Sequence, residues 1–284
     1  MKTYKSISQQ VFSNEEYYLV PIRDEDKYRI MDWRNEQIDH LRQTEPLTRE
    51  QQDNYFGKVI SKLFIEEFPD QILFSFLKND LCIGYGGLVH INWENRNAEI
   101  SFIMDTNLEE SSFKLFWLEY LALIEQVAFN ELKLKKIYTY AYDFRSNLFD
   151  VLIKARYREE GRLKKHIKIG KKYIDVILHY KINNRLKLRK ASRNDARITY
   201  DWFLDKKIRE FSYSRSKVTF SEHSLWFEEK LKSKHCLYLI AETADSCTGS
   251  IRGDLSNAGI VISFLVDSSH HGFGLGKLLL KEGV

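Results

Sequence analysis

The amino-acid sequence predicts an α/β protein of the mixed-sheet (α+β) kind, built from two tandem copies of one unit, the second incomplete at its C-terminal end. Three observations predict this. Four blocks of the chain recur once each in the same order. Apolar runs rich in β-branched residues alternate with helix-period segments, and the last run leads into spaced glycines and a leucine-rich helix start. At 284 residues the chain can hold two domains of about 100–200 residues each.

The blocks place the elements. "LVPIRDEDKYRIMDWRNE" from Leu19 pairs with "LRKASRNDARITYDWFLD" from Leu188. Each reads as a short strand, a polar turn with Asp26 or Asp195, and a helix carrying Asp32-Trp33 or Asp201-Trp202. "LTREQQDNYF" pairs with "VTFSEHSLWF", a Thr followed by a helix that ends in paired aromatics. "CIGYGGL" pairs with "CTGSIRGDL", and "EISFIMD" with "VISFLVD". The break falls in the polar stretch "INNRLK", which gives an N-terminal extension over 1–15, a first domain over 16–184 and a second over 185–284.

Each repeat then reads β-α-α-β-β-β-α. In the first, strands are expected near 17–23, 72–78, 82–91, 97–104 and 135–142. A helix over Ser111–Leu132 takes Ser111 or Ser112 as its N-cap. Lys164–Ile169 and Tyr173–Tyr180 form a closing hairpin across Gly170. In the second repeat, Gly259–Val266 reads as a buried strand.

Composition excludes several classes. With 43% hydrophobic and 14% aromatic residues the chain is globular, not disordered. Cys82, Cys236 and Cys247 make no metal or disulfide pattern, which suits a reducing cytoplasm. The N-terminus shows no signal-peptide core, and the most apolar stretch is shorter than a membrane span. A net charge of +4 is too small to argue for nucleic acid. The basic stretch "KARYREEGRLKKHIKIGKKY" alternates with apolar residues and reads as the solvated face of a hairpin.

The segment from His271 to Lys277, "HGFGLGK", carries the chemistry. A strand, a glycine loop and a helix start together let free backbone N–H groups converge on phosphate oxygens. Gly272, Gly274 and Gly276 could each adopt φ > 0 and admit a ligand close to the main chain. A Walker loop needs Ser or Thr after Gly-Lys, but Leu278 follows Lys277. A dinucleotide fold would want an acidic residue roughly 20 positions on, beyond Val284, where the sequence ends. The segment resembles the pyrophosphate loop of the GNAT superfamily of acetyl-CoA-dependent N-acyltransferases, with His271 where Gln or Arg is usual and Gly274 and Gly276 in place.

The resemblance implies acetyl-CoA as co-substrate, held by Leu265, Val266, His271, Gly272, Phe273, Gly274, Leu275, Gly276 and Lys277, with the strand amides of Leu265 and Val266 as donors to the thioester oxygen. An offset of 162 residues (264 − 102) lays the first repeat on the second. Glu109, Ser112 and Lys114 then stand at His271, Gly274 and Gly276, so the first repeat should bind acetyl-CoA poorly. Leu152 stands where many members carry a Tyr that protonates the departing thiolate.

The second repeat is most similar to acetyltransferase domains of nonulosonic, pseudaminic-type sugar pathways, which implies transfer to the amine of a nucleotide-linked amino sugar in surface-glycan biosynthesis. The alternatives are an N-terminal acetyltransferase of the ribosomal-protein type and a non-catalytic acyl-CoA-binding module. Glu222 and His223, with Asp201 or Asp205, are candidate bases; for each the alternative is a surface polar group or a helix partner. Trp202, Asp205 and Trp226 are candidate substrate contacts, the tryptophans also fitting a core role. No metal, nucleic acid or membrane partner is expected, and a homodimer is left open. By the same offset Val284 matches Ala122, so the second repeat lacks about 60 residues (182 − 122), and little transferase activity is expected from these 284 residues by themselves.

Overall fold

Aromatic and β-branched residues build the sheet of the first unit, Met1–Ile182. Its strands are β1 (Phe12–Asn14), β2 (Tyr17–Pro21), β3 (Ile72–Lys78), β4 (Leu81–Asn92), β5 (Asn97–Met104), β6 (Lys136–Tyr142), β7 (Arg158–Ile169) and β8 (Lys172–Ile182). They lie in the order β1-β2-β3-β4-β5-β6-β8-β7. Only β5 and β6 run parallel. Helix α1 (Lys27–Glu36) is followed by α2 (Arg49–Tyr55), a π-turn over Phe56–Ile60 and α3 (Ser61–Leu63). The parallel join needs a crossover, which α4 (Thr106–Glu125) supplies, and α5 (Ser146–Lys154) leads into the hairpin. The computed structural model describes residues 2–183, 186–210, 218–243, 246–272 and 274–283.

Two expectations for this unit are corrected. Helix α4 begins at Thr106, five residues before Ser111, and continues through a π-turn to Glu131. Asp105, at the very end of β5, caps it by accepting from the Asn107 N–H at 3.0 Å, so no serine cap is needed. Residues 2–15 are no loose extension. Tyr4, Ile7 and Phe12 are buried in the core, and the Tyr4 hydroxyl donates to the Leu73 carbonyl at 2.7 Å.

The second unit, Asn183–Val284, has its own four-stranded antiparallel sheet. Strands β9 (Lys187–Lys190), β10 (Cys236–Glu242), β11 (Cys247–Ser256) and β12 (Gly259–Val266) lie in the order β12-β11-β10-β9. The helices are α6 (Ala196–Leu204), α7 (Lys206–Arg209), α8 (Phe220–Lys232) and α9 (Leu275–Gly283). Trp202, Phe227, Tyr238 and Ile240 form one core cluster, and Leu279 of α9 packs on Ala241 and Ile251 in another. The expectation of a buried β12 is corrected. It lies at the sheet edge, and Ile260, Val261, Ile262 and Phe264 are all exposed. An apolar run marks a strand but does not say how many neighbours it has. Among the described residues, no helix is long and apolar enough to cross a membrane.

Candidate functional site

At the end of β12 the chain does not run straight into a helix. Asp267 accepts from the Ser269 N–H at 2.8 Å and caps a short 3-10 turn over Ser268–His270. Gly272 and Gly274 follow with φ of 79° and 76°, and α9 starts at Leu275. A side chain in this left-handed region costs about 1–2 kcal/mol per residue, so these two positions call for glycine. Gly276 does not. It lies inside α9, and a Cβ there would meet only ordinary contacts at 3.8 and 3.9 Å, which corrects the expectation of a third positive φ. The loop delivers the N-terminus of a nine-residue helix, where unpaired N–H groups and the helix dipole favour an anion.

The loop is braced from within the unit. The Trp202 indole N–H of α6 donates to Asp267 Oδ2 at 2.7 Å, and the Ser268 hydroxyl donates to Asp205 Oδ2. The His271 Nε2–H donates to the Val266 carbonyl at 2.9 Å. Burial opposes ionisation of Asp267, but the hydrogen bonds from Ser269 and Trp202 outweigh it and hold the carboxyl below its usual value. Trp202 and Asp205, expected as substrate contacts, therefore position the loop instead. Trp202 is 3% exposed and offers no stacking face. Lys277 is exposed on α9, and Phe273 lies outside the described residues.

Under the loop opens a cavity of about 1150 Å³. The loop and β12 form one side, with Leu265, Val266, His271, Gly272, Gly274 and Gly276 among the lining. Helices α6 and α8 contribute Thr199, His223 and Trp226, and β10 and β11 contribute Tyr238 and Arg252. The Arg252 guanidinium lies 4.9 Å from the Trp226 ring centre and donates to Asp254 at 2.6 Å. Lys230 donates to the same carboxylate at 2.8 Å, so one negative charge faces two positive ones. Among the described lining residues there is no Asp or Glu.

Candidate residues separate clearly here. Trp226 and His223 line the cavity; Glu222, Asp201 and Asp205 do not. Glu222 is the capping-box partner of Thr219, accepting from its N–H and its hydroxyl, both at 2.7 Å. Those bonds hold its carboxyl below the usual range and engage it in the helix cap, outside the cavity lining. Asp201 pairs with Arg197 on the surface at 3.1 Å.

The strand amides also separate. Asp267 N–H donates to the Thr248 carbonyl at 2.8 Å, which makes 248 and 267 a hydrogen-bonded pair. Antiparallel pairs alternate, so Gly249↔Val266 is a non-bonded pair and Ser250↔Leu265 a bonded one. The Leu265 amide is thus used by the ladder. The Val266 amide points to the uncovered side of β12, and it alone of the two can serve as the oxyanion donor.

In the first unit, residues 106–112, which the expected offset of 162 would set against 268–274, are helical. Buried Gln37 donates to the Met104 carbonyl at 2.8 Å and to Thr106 Oγ1 at 2.9 Å. Glu109 has its carboxyl pushed up by burial, with the nearby Arg145 opposing the shift. Leu152 is fully buried and offers no proton. Among the described residues of the chain, no group of three or more His, Cys, Asp or Glu could hold a metal.

Comparison with known proteins agrees with this fold. A spermidine N-acetyltransferase from Vibrio cholerae, solved in complex with CoA and spermine, is similar at a TM-score of 0.52 and 20% identity, over 60% of this chain and 97% of that one. Mutant forms of the spermidine/spermine N-acetyltransferase of the same organism match at 0.51 and 22%, over 60% and 95%. A probable acetyltransferase matches at 0.51 and 16%, over 61% and 96%. The family model described as an acetyltransferase (GNAT) domain matches residues 19–178, more than half of the chain. The chain therefore belongs to the GNAT acetyltransferases, N-acetyltransferases that take their acyl group from acetyl-CoA.

Proposed function

We propose that the chain transfers acetyl from acetyl-CoA to a primary amine borne by an anionic small molecule, of which a nucleotide-linked amino sugar is the best fit, and that the second unit holds both substrates. On this reading the two units, 16–184 and 185–284, are copies of one domain, and the first has lost its cofactor loop. The shared order of strands and helices, the paired caps at Asp105 and Asp267, and the paired capping boxes at Thr48 and Thr219 support that view. Residues Val266, His271, Gly272, Gly274 and Leu275 would hold the diphosphate and the thioester end of acetyl-CoA, supplying the activated acyl group beside the cavity.

One observation carries the choice of acceptor. The cavity wall presents Arg252 over Trp226 and, among its described lining, no carboxylate. A polyamine such as the spermine bound by the neighbour carries several positive charges and needs acidic partners, because burying an unpaired cation costs several kcal/mol. A phosphate- or carboxylate-bearing amine meets the guanidinium and the indole face instead. The test compares relative acetylation rates of the 284-residue chain, low as they are expected to be, with a UDP-linked amino sugar, spermidine and a ribosomal-protein N-terminal peptide. Preference for the nucleotide sugar is expected. Preference for spermidine would overturn the acceptor assignment, and preference for the peptide would move the activity to the terminal-amine class.

A further inference from the structure

Amine acylation needs a proton acceptor, and the cavity narrows the choice. With no carboxylate among the described lining, the basic side-chain nitrogens to weigh are those of the imidazoles of His223, His270 and His271. His270 Nδ1 lies 2.9 Å from the Ser269 hydroxyl and 3.7 Å from Asp267, inside the cap of the loop. His271 is bonded to the Val266 carbonyl at the phosphate end. His223 stands on α8, the acceptor side, next to Trp226.

The hydrogen bonds of His223 fix its tautomer. Thr199 has one hydroxyl proton, and its oxygen lies 2.9 Å from the Asp195 carbonyl and 3.1 Å from the Ala196 carbonyl, both of which only accept. With the hydroxyl donating there, its oxygen is left to accept from the His223 Nε2 at 3.0 Å, the tautomer in which Nε2 carries the proton and Nδ1 keeps its lone pair. Unlike His179 Nδ1, His223 Nδ1 is not sealed off without a partner, and its ring lines the cavity.

The first unit supplies a control. Four residues after its own capping-box Thr48 stands Gln52, whose Nε2 donates to the Lys27 carbonyl at 2.7 Å. Bridging the two helices thus requires only a donor, and a glutamine provides it. The histidine in the second unit adds a basic nitrogen that the bridge does not use.

We infer that His223 is the proton acceptor for the attacking amine, acting through Nδ1 and oriented by Thr199; this rests on the functional reading above. As the neutral amine nitrogen bonds to the acetyl carbon and the C–S bond breaks, one N–H proton passes to Nδ1. The sulfur leaves with the bonding electron pair and takes up a proton from the imidazolium or through water, which restores the neutral ring. Burial among Tyr200, Phe203, Trp226 and Phe227 lowers the imidazole pKa from 6.5, so the ring is a free base at neutral pH. The other titratable groups around the cavity are Tyr238 on β10, Arg252 on β11, and His270 and His271 on the loop. Asp254 is paired with Arg252 and Lys230, and Asp267 with Trp202 and Ser269, outside that lining.

The test combines two readouts on the full chain. In ¹⁵N-histidine spectra at pH 7, His223 should show a protonated Nε2 and a bare Nδ1. His223→Gln keeps a donor for Thr199 and should keep the fold and acetyl-CoA affinity, yet lose turnover by roughly 10²–10⁴-fold. The limb of kcat/KM that rises with pH below 6.5 should vanish with it. A ring protonated at Nδ1 would overturn the inference. So would a His223→Gln variant within about threefold of the parent rate while the parent acetylates an amine. A parent protein that acetylates no amine contradicts the functional reading itself, and this inference with it.

Discussion

Replacing Gly274 by Ala separates a loop that needs left-handed backbone from one that is merely flexible. Gly274 sits at φ 76°, and an L-residue there costs about 1–2 kcal/mol. If the ligand requires that geometry, the cost appears in binding. At about 1.4 kcal/mol per tenfold, Gly274→Ala should weaken acetyl-CoA by roughly 5- to 30-fold. Gly276→Ala, two residues on, is the internal control. Its backbone is helical and the new Cβ would meet side chains at 3.8 and 3.9 Å. Alanine inside a helix is favoured over glycine by about 0.5–1 kcal/mol, so this variant should bind as before and melt slightly higher. Titration calorimetry with acetyl-CoA and thermal melts of both variants measure the contrast. Equal losses at the two positions would refute the loop geometry, and no loss at Gly274 would remove the loop from the binding site.

Other outcomes follow from the same geometry. Ser112→Glu changes a residue inside helix α4 of the first unit, away from the glycine loop, so acetyl-CoA affinity by calorimetry should stay within about twofold. Trp202→Phe removes a buried donor to a carboxylate, worth about 1.5–3 kcal/mol, and should lower the melting temperature of the second unit and loosen the loop. Burial opposes ionisation of Asp195, but the bidentate Arg189 pair outweighs it and holds the carboxyl below 3.8. A depressed carboxyl stabilises above its unfolded pKa and loses that contribution as pH falls through its folded value. Asp195→Asn should therefore be destabilised at pH 7 and converge on the parent below pH 3.8 in acid-unfolding curves.

Much of the fold was legible in the sequence because its signals are local. The runs at Ile72–Lys78, Asn97–Met104 and Gly259–Val266 are strands with those bounds. The glycine spacing marked the loop because left-handed backbone needs glycine whatever surrounds it. The start of α4 was misjudged because an aspartate at the strand end outcompeted two serines, a choice settled by where the strand stops. Glu222 could have been read as a cap: Thr-x-x-Glu before an apolar helix is a capping box. Trp202 could not, since its partner Asp267 lies 65 residues away. The His223 tautomer likewise depends on a carbonyl at Asp195 and a hydroxyl at Thr199, brought together only by packing.

Amide hydrogen exchange on the full chain, with and without saturating acetyl-CoA, tests the central claim most directly, because it reads both units in one sample. The account predicts new protection across Val266–Leu278, the strand end and glycine loop of the second unit. It predicts no change across Met104–Lys114, where the first unit is already helical from Thr106 and capped by Asp105. Protection appearing at Met104–Lys114 and absent from Val266–Leu278 would contradict it.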